Sequence, residues 1–133
     1  MKYRLLNYIA CPYCKDEGFP LKLIVIEERL YEERKIPEDM KRPLCDLYCG
    51  FKKQRIESGV EYPCDECIKH EVVTGVLVCP KCNRWYPIID EIPRLLPDEY
   101  RKKEEDIAFL ERYSSELPDD IKYGGKPHNL SQR

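Results

Sequence analysis

The chain has 133 residues, room for one ordinary domain or one very small domain with appendages. Its 23 Lys and Arg nearly balance 25 Asp and Glu, a net charge of −2, which excludes the marked basic excess of a dedicated nucleic-acid or membrane-surface protein. Eight Cys stand beside eleven Pro, three Phe and one Trp, so a small apolar core calls for metal or disulfide cross-links.

Residues 3–10 read as a short helix with Leu5, Leu6 and Ile9 on one face. The apolar stretch before Cys11 is short and broken by Asn7, so it lacks the core of a secretory signal, and no run reaches the length of a membrane span. The expected compartment is the cytoplasm, where thiols stay reduced and paired Cys more often signal metal. Leu21 to Ile26 is a compact apolar run and reads as a strand covered on both faces. Residues 30–71 are rich in charge and punctuated by Pro37, Pro43, Gly50, Gly59 and Pro63, as in an inserted module.

Val72 to Val78 and Trp85 to Ile89 return to strand composition, with Asp90-Glu91 as the turn before Ile92. Pro97, Asp98 and Glu99 suit the start of a helix over 98–118, in which Ile107, Leu110, Tyr113 and Leu117 recur at helical spacing and Pro118 is the stop. Residues 119–133 contain Gly124-Gly125 and Pro127 among polar residues and read as a flexible tail without a core of its own.

All eight Cys fall into four close pairs: Cys11/Cys14, Cys45/Cys49, Cys64/Cys67 and Cys79/Cys82. A gap of two or three residues lets both sulfurs of one turn face one tetrahedral ion, so four such pairs predict two four-thiolate sites holding two zinc ions. Sequential, interleaved and nested pairings are all open. The fourteen residues between Cys49 and Cys64 favour nesting, the eleven between Cys67 and Cys79 favour the sequential arrangement, and spacing tips towards nesting. A four-thiolate zinc has no open coordination position and organises structure without activating water; iron in a rubredoxin-like site is the rival reading.

The segment from Gly75 to Pro97, with Cys79-Pro80-Lys81-Cys82, Tyr86-Pro87-Ile88, an acidic turn and Ile92-Pro93-Arg94-Leu95-Leu96-Pro97, has a specific character. Together with Leu5-Leu6-Asn7-Tyr8-Ile9-Ala10-Cys11-Pro12-Tyr13-Cys14, it resembles the small zinc-ribbon methyltransferase-activator family, in an archaeal-type form with an extra Cys-rich insert. That family is the common partner subunit of tRNA, rRNA and release-factor methyltransferases. The resemblance covers residues 3–26 and 72–97. Glu91 stands where the family usually has Gly, at a turn position that asks for positive φ. The resemblance implies that Cys11, Cys14, Cys79 and Cys82 share one zinc, and it assigns no role to Cys45, Cys49, Cys64 and Cys67.

The expected fold is therefore small α+β: a zinc ribbon (1–29 and 72–97) with a short N-terminal helix and an antiparallel sheet, an inserted second zinc module (30–71), a C-terminal helix (98–118) and the tail. The segment Ile88 to Pro97 carries more apolar residues than so small a ribbon covers. Leu5, Leu6, Ile88, Ile89, Ile92, Leu95 and Leu96 therefore read as a group as a partner interface, with the ribbon's own core as the alternative for each single residue and necessarily the place of some. By resemblance the partner is a class I S-adenosylmethionine-dependent methyltransferase, held in a heterodimer. His70 and His128 read as surface residues, Trp85-Tyr86 as packing on the ribbon, and Lys52-Lys53-Gln54-Arg55 and Arg101-Lys102-Lys103 as solvated charge. No nucleophile triad, P-loop or Gly-rich cofactor turn is present, so the chain reads as an activator subunit and not an enzyme, without membrane contact and with at most indirect or weak nucleic-acid contact. The alternative is a zinc-ribbon nucleic-acid adaptor in transcription or translation.

Overall fold

In the computed structural model, which describes residues 1–133, the chain is organised by a four-stranded antiparallel sheet in the order β1-β4-β5-β6. These strands span Lys22–Leu30 (β1), His70–Val78 (β4), Trp85–Ile89 (β5) and Ile92–Pro93 (β6). Between β1 and β4 lie a two-stranded ribbon of β2 (Tyr48–Cys49) and β3 (Gln54–Arg55), then a single helical turn, α1 (Cys64–Cys67). A 3₁₀ turn over Tyr3–Asn7 precedes the sheet. Helices α2 (Lys103–Arg112) and α3 (Asp119–Lys122) follow it. No helix is long and apolar enough to cross a membrane.

β4 is the central buried strand, and alternation along it and β5 divides the core in two. Leu77, Tyr86 and Ile88 pack with Leu6, Cys11 and Leu21 in one cluster. Val76, Val78 and Trp85 pack with Leu110, Leu117, Ile121 and Leu130 in the other. The N-terminal turn and the Cys-Pro-x-Cys loops therefore cover one side of the sheet, and the C-terminal residues cover the other.

Four sequence expectations are corrected here. β1 runs past the apolar stretch to Leu30 as an edge strand, bulged around Glu27, with Val25 and Leu30 exposed; the apolar stretch itself is covered on both faces, Leu21 and Leu23 packing on the first cluster and Ile24 and Ile26 on the second. A strand paired on one side only is bordered by solvent, and its outer half is charged accordingly. The 98–118 helix is broken. Asp98–Tyr100 forms a 3₁₀ turn, Arg101 and Lys102 are extended, and α2 stops at Arg112. The Arg101-Lys102-Lys103 run is not wholly solvated either, because the Arg101 side chain is almost fully buried.

The fourth correction is the tail. Residues 119–133 form α3 and a closing 3₁₀ turn (Leu130–Gln132), and Ile121 and Leu130 sit in the second core cluster. Backbone bonds tie this segment to β5: Trp85 N–H donates to Lys126 O at 3.0 Å, and Lys126 N–H to Asn83 O at 3.1 Å. A segment that buries apolar side chains against a sheet face is part of the core, however polar its average composition.

The break in the helix has a tertiary cause. Arg101 donates to Trp85 O at 2.7 Å, its guanidinium lies 4.7 Å from the Trp85 ring centroid, and it pairs with buried Asp106 at 3.0 Å. His128 Nδ1 meets the same carboxylate at 2.8 Å, so His128 is half-buried and not a free surface residue. Asp106→Asn keeps the shape and removes the charge that offsets buried Arg101. The expected cost is about 2 kcal/mol, seen as a lower urea midpoint with an unchanged slope; an unchanged midpoint would contradict the role given to this pair.

The Asp90-Glu91 turn has φ of 51° and 70°, the paired positive values of a type I′ hairpin, and joins Ile89 to its cross-strand partner Ile92. Glu91 holds the left-handed conformation without being Gly because its surroundings fix it. Its carbonyl accepts from the Met1 ammonium at 2.7 Å, and its carboxylate accepts from Arg29 at 2.8 Å and Tyr31 at 2.9 Å.

Candidate metal centre and partner face

Two Cys-Pro-x-Cys turns are built on one plan. In the first, Lys15 N–H donates to Cys11 O at 2.8 Å and Lys15 takes a φ of 51°. In the second, Asn83 N–H donates to Cys79 O at 3.0 Å and Asn83 takes a φ of 63°. Each closure turns both sulfurs of its pair to the same side. The first turn leads from the N-terminal 3₁₀ turn into β1, and the second joins β4 to β5, so the sheet sets one against the other.

The four Sγ atoms of Cys11, Cys14, Cys79 and Cys82 all lie within 4.8 Å of one another. Cys11 and Cys82 are 3.8 Å apart, which matches the edge of roughly 3.8 Å of a sulfur tetrahedron around an ion with metal–sulfur bonds of about 2.3 Å. Cys11 and Cys79 are fully buried. Gly18 is required here: a Cβ at this position would lie 2.6 Å from Cys79 Sγ. Tyr86, directed inward from β5, donates its hydroxyl to Cys11 Sγ at 3.2 Å, and burial together with that bond holds the phenol well above its ordinary range.

The electrostatics fit a bound cation. Desolvation, reinforced by the neighbouring Cys82 and Cys79 sulfurs, pushes the Cys14 thiol up to about 12. Burial also opposes ionisation at Cys82, yet the backbone and guanidinium of Arg84 reverse it and bring this thiol down to about 7. Arg84 is itself fixed by a forked pair with Asp98 at 2.9–3.2 Å and lies over the Tyr13 ring at 3.8 Å. Four thiolates cannot share so small a volume without a positive ion between them, and an all-sulfur tetrahedral donor set is the set zinc takes. These residues fit that ion.

The second quartet is arranged differently. Cys45, Cys49, Cys64 and Cys67 line one apolar pocket between the insert and the N-terminal 3₁₀ turn, but no three of their sulfurs gather within 4.8 Å. Of the four pairs, the structure thus gathers the first and fourth tightly and leaves the inner two facing one pocket.

The apolar strip divides. Leu6 is 1% exposed and Ile88 0%, so both belong to the core and cannot face a partner. Neighbouring residues on a strand point to opposite faces, which separates inward Ile88 from Ile89 and its cross-strand partner Ile92. Leu5 and Leu95 pack partly against the first cluster. Ile92 is 60% exposed and Leu96 44%, beside exposed Tyr100 and next to the edge strand β6. Ile89, Leu96 and Tyr100 line a shallow pocket between this edge and α2.

A model of the Trm112p-like protein family matches residues 2–91, which include both Cys-Pro-x-Cys turns, the whole insert and the hairpin turn. The chain belongs to the Trm112p-like family. Among curated proteins, none matches the chain. This is the methyltransferase-activator family that the sequence resembles, and both the Cys cluster and strands β1, β4 and β5 lie in the matched part. The residues after 91 that cover the second sheet face lie beyond the matched segment.

Several supporting residues of this Trm112p-like chain escaped sequence reasoning. Tyr86 bonds the cluster as well as packing on the ribbon, and nothing in the local sequence pattern marks Arg84 or Gly18. The one usable signal was the repeated Cys-Pro-x-Cys, because equal turns imply equal closures and hence a common set of donors around both. His70 is half-buried, bonded to Glu28 at 2.8 Å and Glu66 at 3.0 Å, and takes no place in either Cys group.

Proposed function

We propose that the chain is a non-catalytic activating and stabilising subunit of class I S-adenosylmethionine-dependent methyltransferases that modify tRNA, rRNA or a translation release factor, acting as a heterodimer in the cytoplasm. Family membership supports this reading, and the observation that carries it is the exposed pair Ile92 and Leu96 beside a sheet edge. An edge strand offers backbone donors and acceptors for another sheet, and apolar side chains beside it supply the buried area. One zinc ion, held by the thiolates of Cys11, Cys14, Cys79 and Cys82, uses all four of its positions on protein and serves to fix the ribbon. The ribbon core comprises residues 1–29 and 72–97, with residues 30–71 as its insert.

Activation needs no catalytic residue from this chain. A subunit that binds only the folded methyltransferase stabilises it by about 2.7 kcal/mol when present at a hundredfold excess over Kd. Covering apolar surface on the partner would also keep it from aggregating.

The test is affinity purification of the tagged protein from its native cells, beside the double variant Ile92→Asp/Leu96→Asp. A methyltransferase should be enriched with the wild type and lost from the variant, at least tenfold, while zinc content stays the same. Absence of any methyltransferase from the wild-type eluate would overturn the reading. Retention by the variant would move the interface elsewhere.

A further inference from the structure

The insert carries a second set of four Cys that the resemblance leaves without a role, and its surroundings have the chemistry of a metal site. The pocket it lines contains no Asp, Glu or His, so sulfur is the only soft or anionic side-chain donor available. Its other walls include Leu44, Ile56, Tyr62 and Ile68. Cys45, Cys49 and Cys64 are buried and Cys67 is half-buried. Cys64 and Cys67 occupy one turn of α1, a spacing that brings both side chains to one side of the helix.

The turn after Cys49 shares one feature with the ribbon turns, a residue of positive φ four positions past a Cys: Lys53 has a φ of 58°, as Lys15 has 51° and Asn83 63°. Within that turn, Lys52 N–H points at Cys49 Sγ at 3.4 Å. An amide N–H aimed at a sulfur favours the thiolate form that a metal requires. Charge is matched as well. Four thiolates and a divalent ion leave a charge of about −2, and the two basic side chains lining the pocket are Lys2 and Arg4.

We propose that Cys45, Cys49, Cys64 and Cys67 form a second four-thiolate site for a zinc-type ion, which ties the two halves of the insert together in the pocket beside the N-terminal 3₁₀ turn. Binding releases the thiol protons to solvent and draws the four sulfurs into one tetrahedron. The insert is already bonded to that turn. Asn7 Nδ2 donates to Tyr48 O at 2.8 Å, while its Oδ1 accepts from Tyr48 N at 2.9 Å and Leu47 N at 3.0 Å. The second ion thereby supports the same 3₁₀ turn that packs Leu6 under the sheet and leads into Cys11.

Native mass spectrometry of the full chain purified with zinc tests this, with Cys45→Ser/Cys67→Ser for comparison. Two zinc ions per wild-type chain and one in the variant are expected. A second measurement on the wild type avoids dependence on the variant's folding: iodoacetamide should spare the four insert thiols until a strong chelator is added, then modify all four. One zinc per wild-type chain, two in the variant, insert thiols alkylated without chelator, or a disulfide within the insert would each overturn the proposal. The result is independent of whether a methyltransferase co-purifies, so failure here and failure of the activator reading are distinguishable.

Discussion

Cys79→Ser should release the metal of the ribbon and abolish its cooperative unfolding. Cys79 is fully buried at the end of β4, in the turn that hands the chain to β5, and its sulfur is one corner of the cluster within 4.8 Å. A Ser hydroxyl stays protonated at neutral pH and is a poor zinc ligand, so three sulfurs would face an ion built for four. Structural zinc binding supplies about 10–16 kcal/mol in small zinc domains, against a net stability of about 5–15 kcal/mol for a whole domain. Losing even half of that term removes most of the margin. The expected result is a variant without zinc in the ribbon and without a sharp thermal transition, and chelation of the wild type should reproduce it. A variant that retained both its zinc and its melting temperature would show that the four sulfurs are a packed cluster and nothing more.

What could be read from sequence was local and repeated. The Cys-Pro-x-Cys turns, the β4 and β5 runs and the acidic hairpin turn are each contained in a few consecutive residues, and each is found as an element. What could not be read depends on contacts across the chain. Arg101 and Asp106 sit in a run that is almost all charge, and only Trp85, sixteen residues upstream, and His128, twenty-two downstream, account for their burial. Ile121 and Leu130 are lone apolar residues among polar ones, a pattern with no periodicity to detect. In the interface strip, composition gave Ile88 and Ile92 the same standing. Strand register separates them, because Ile88 pairs with Pro93 on the inward side while Ile92 pairs with Ile89. The second Cys quartet shows the same limit, since spacing brings its members to one pocket without fixing how closely they meet.

Trp85→Ala tests the other side of the sheet. Trp85 is fully buried and stacks on Phe109 at a centroid distance of 5.8 Å, and its Nε1 donates to His128 O at 2.8 Å. Gly125 approaches it so closely that a Cβ there would lie 2.7 Å from Trp85 Cδ1, so the C-terminal segment is shaped to this ring. Truncation leaves a cavity and strips the His128 carbonyl of its donor, and burying the whole ring in the first place excluded water from both. The expected loss is about 4 kcal/mol. The two clusters lie on opposite faces of one sheet, so this variant should keep the zinc of the ribbon while backbone amides of residues 119–133 exchange far faster than in the wild type. That combination separates a C-terminal segment held by one aromatic anchor from a segment held by the ribbon itself. A loss below about 1 kcal/mol, or accelerated exchange spread evenly over both faces, would mean that the second face draws its stability from somewhere other than Trp85.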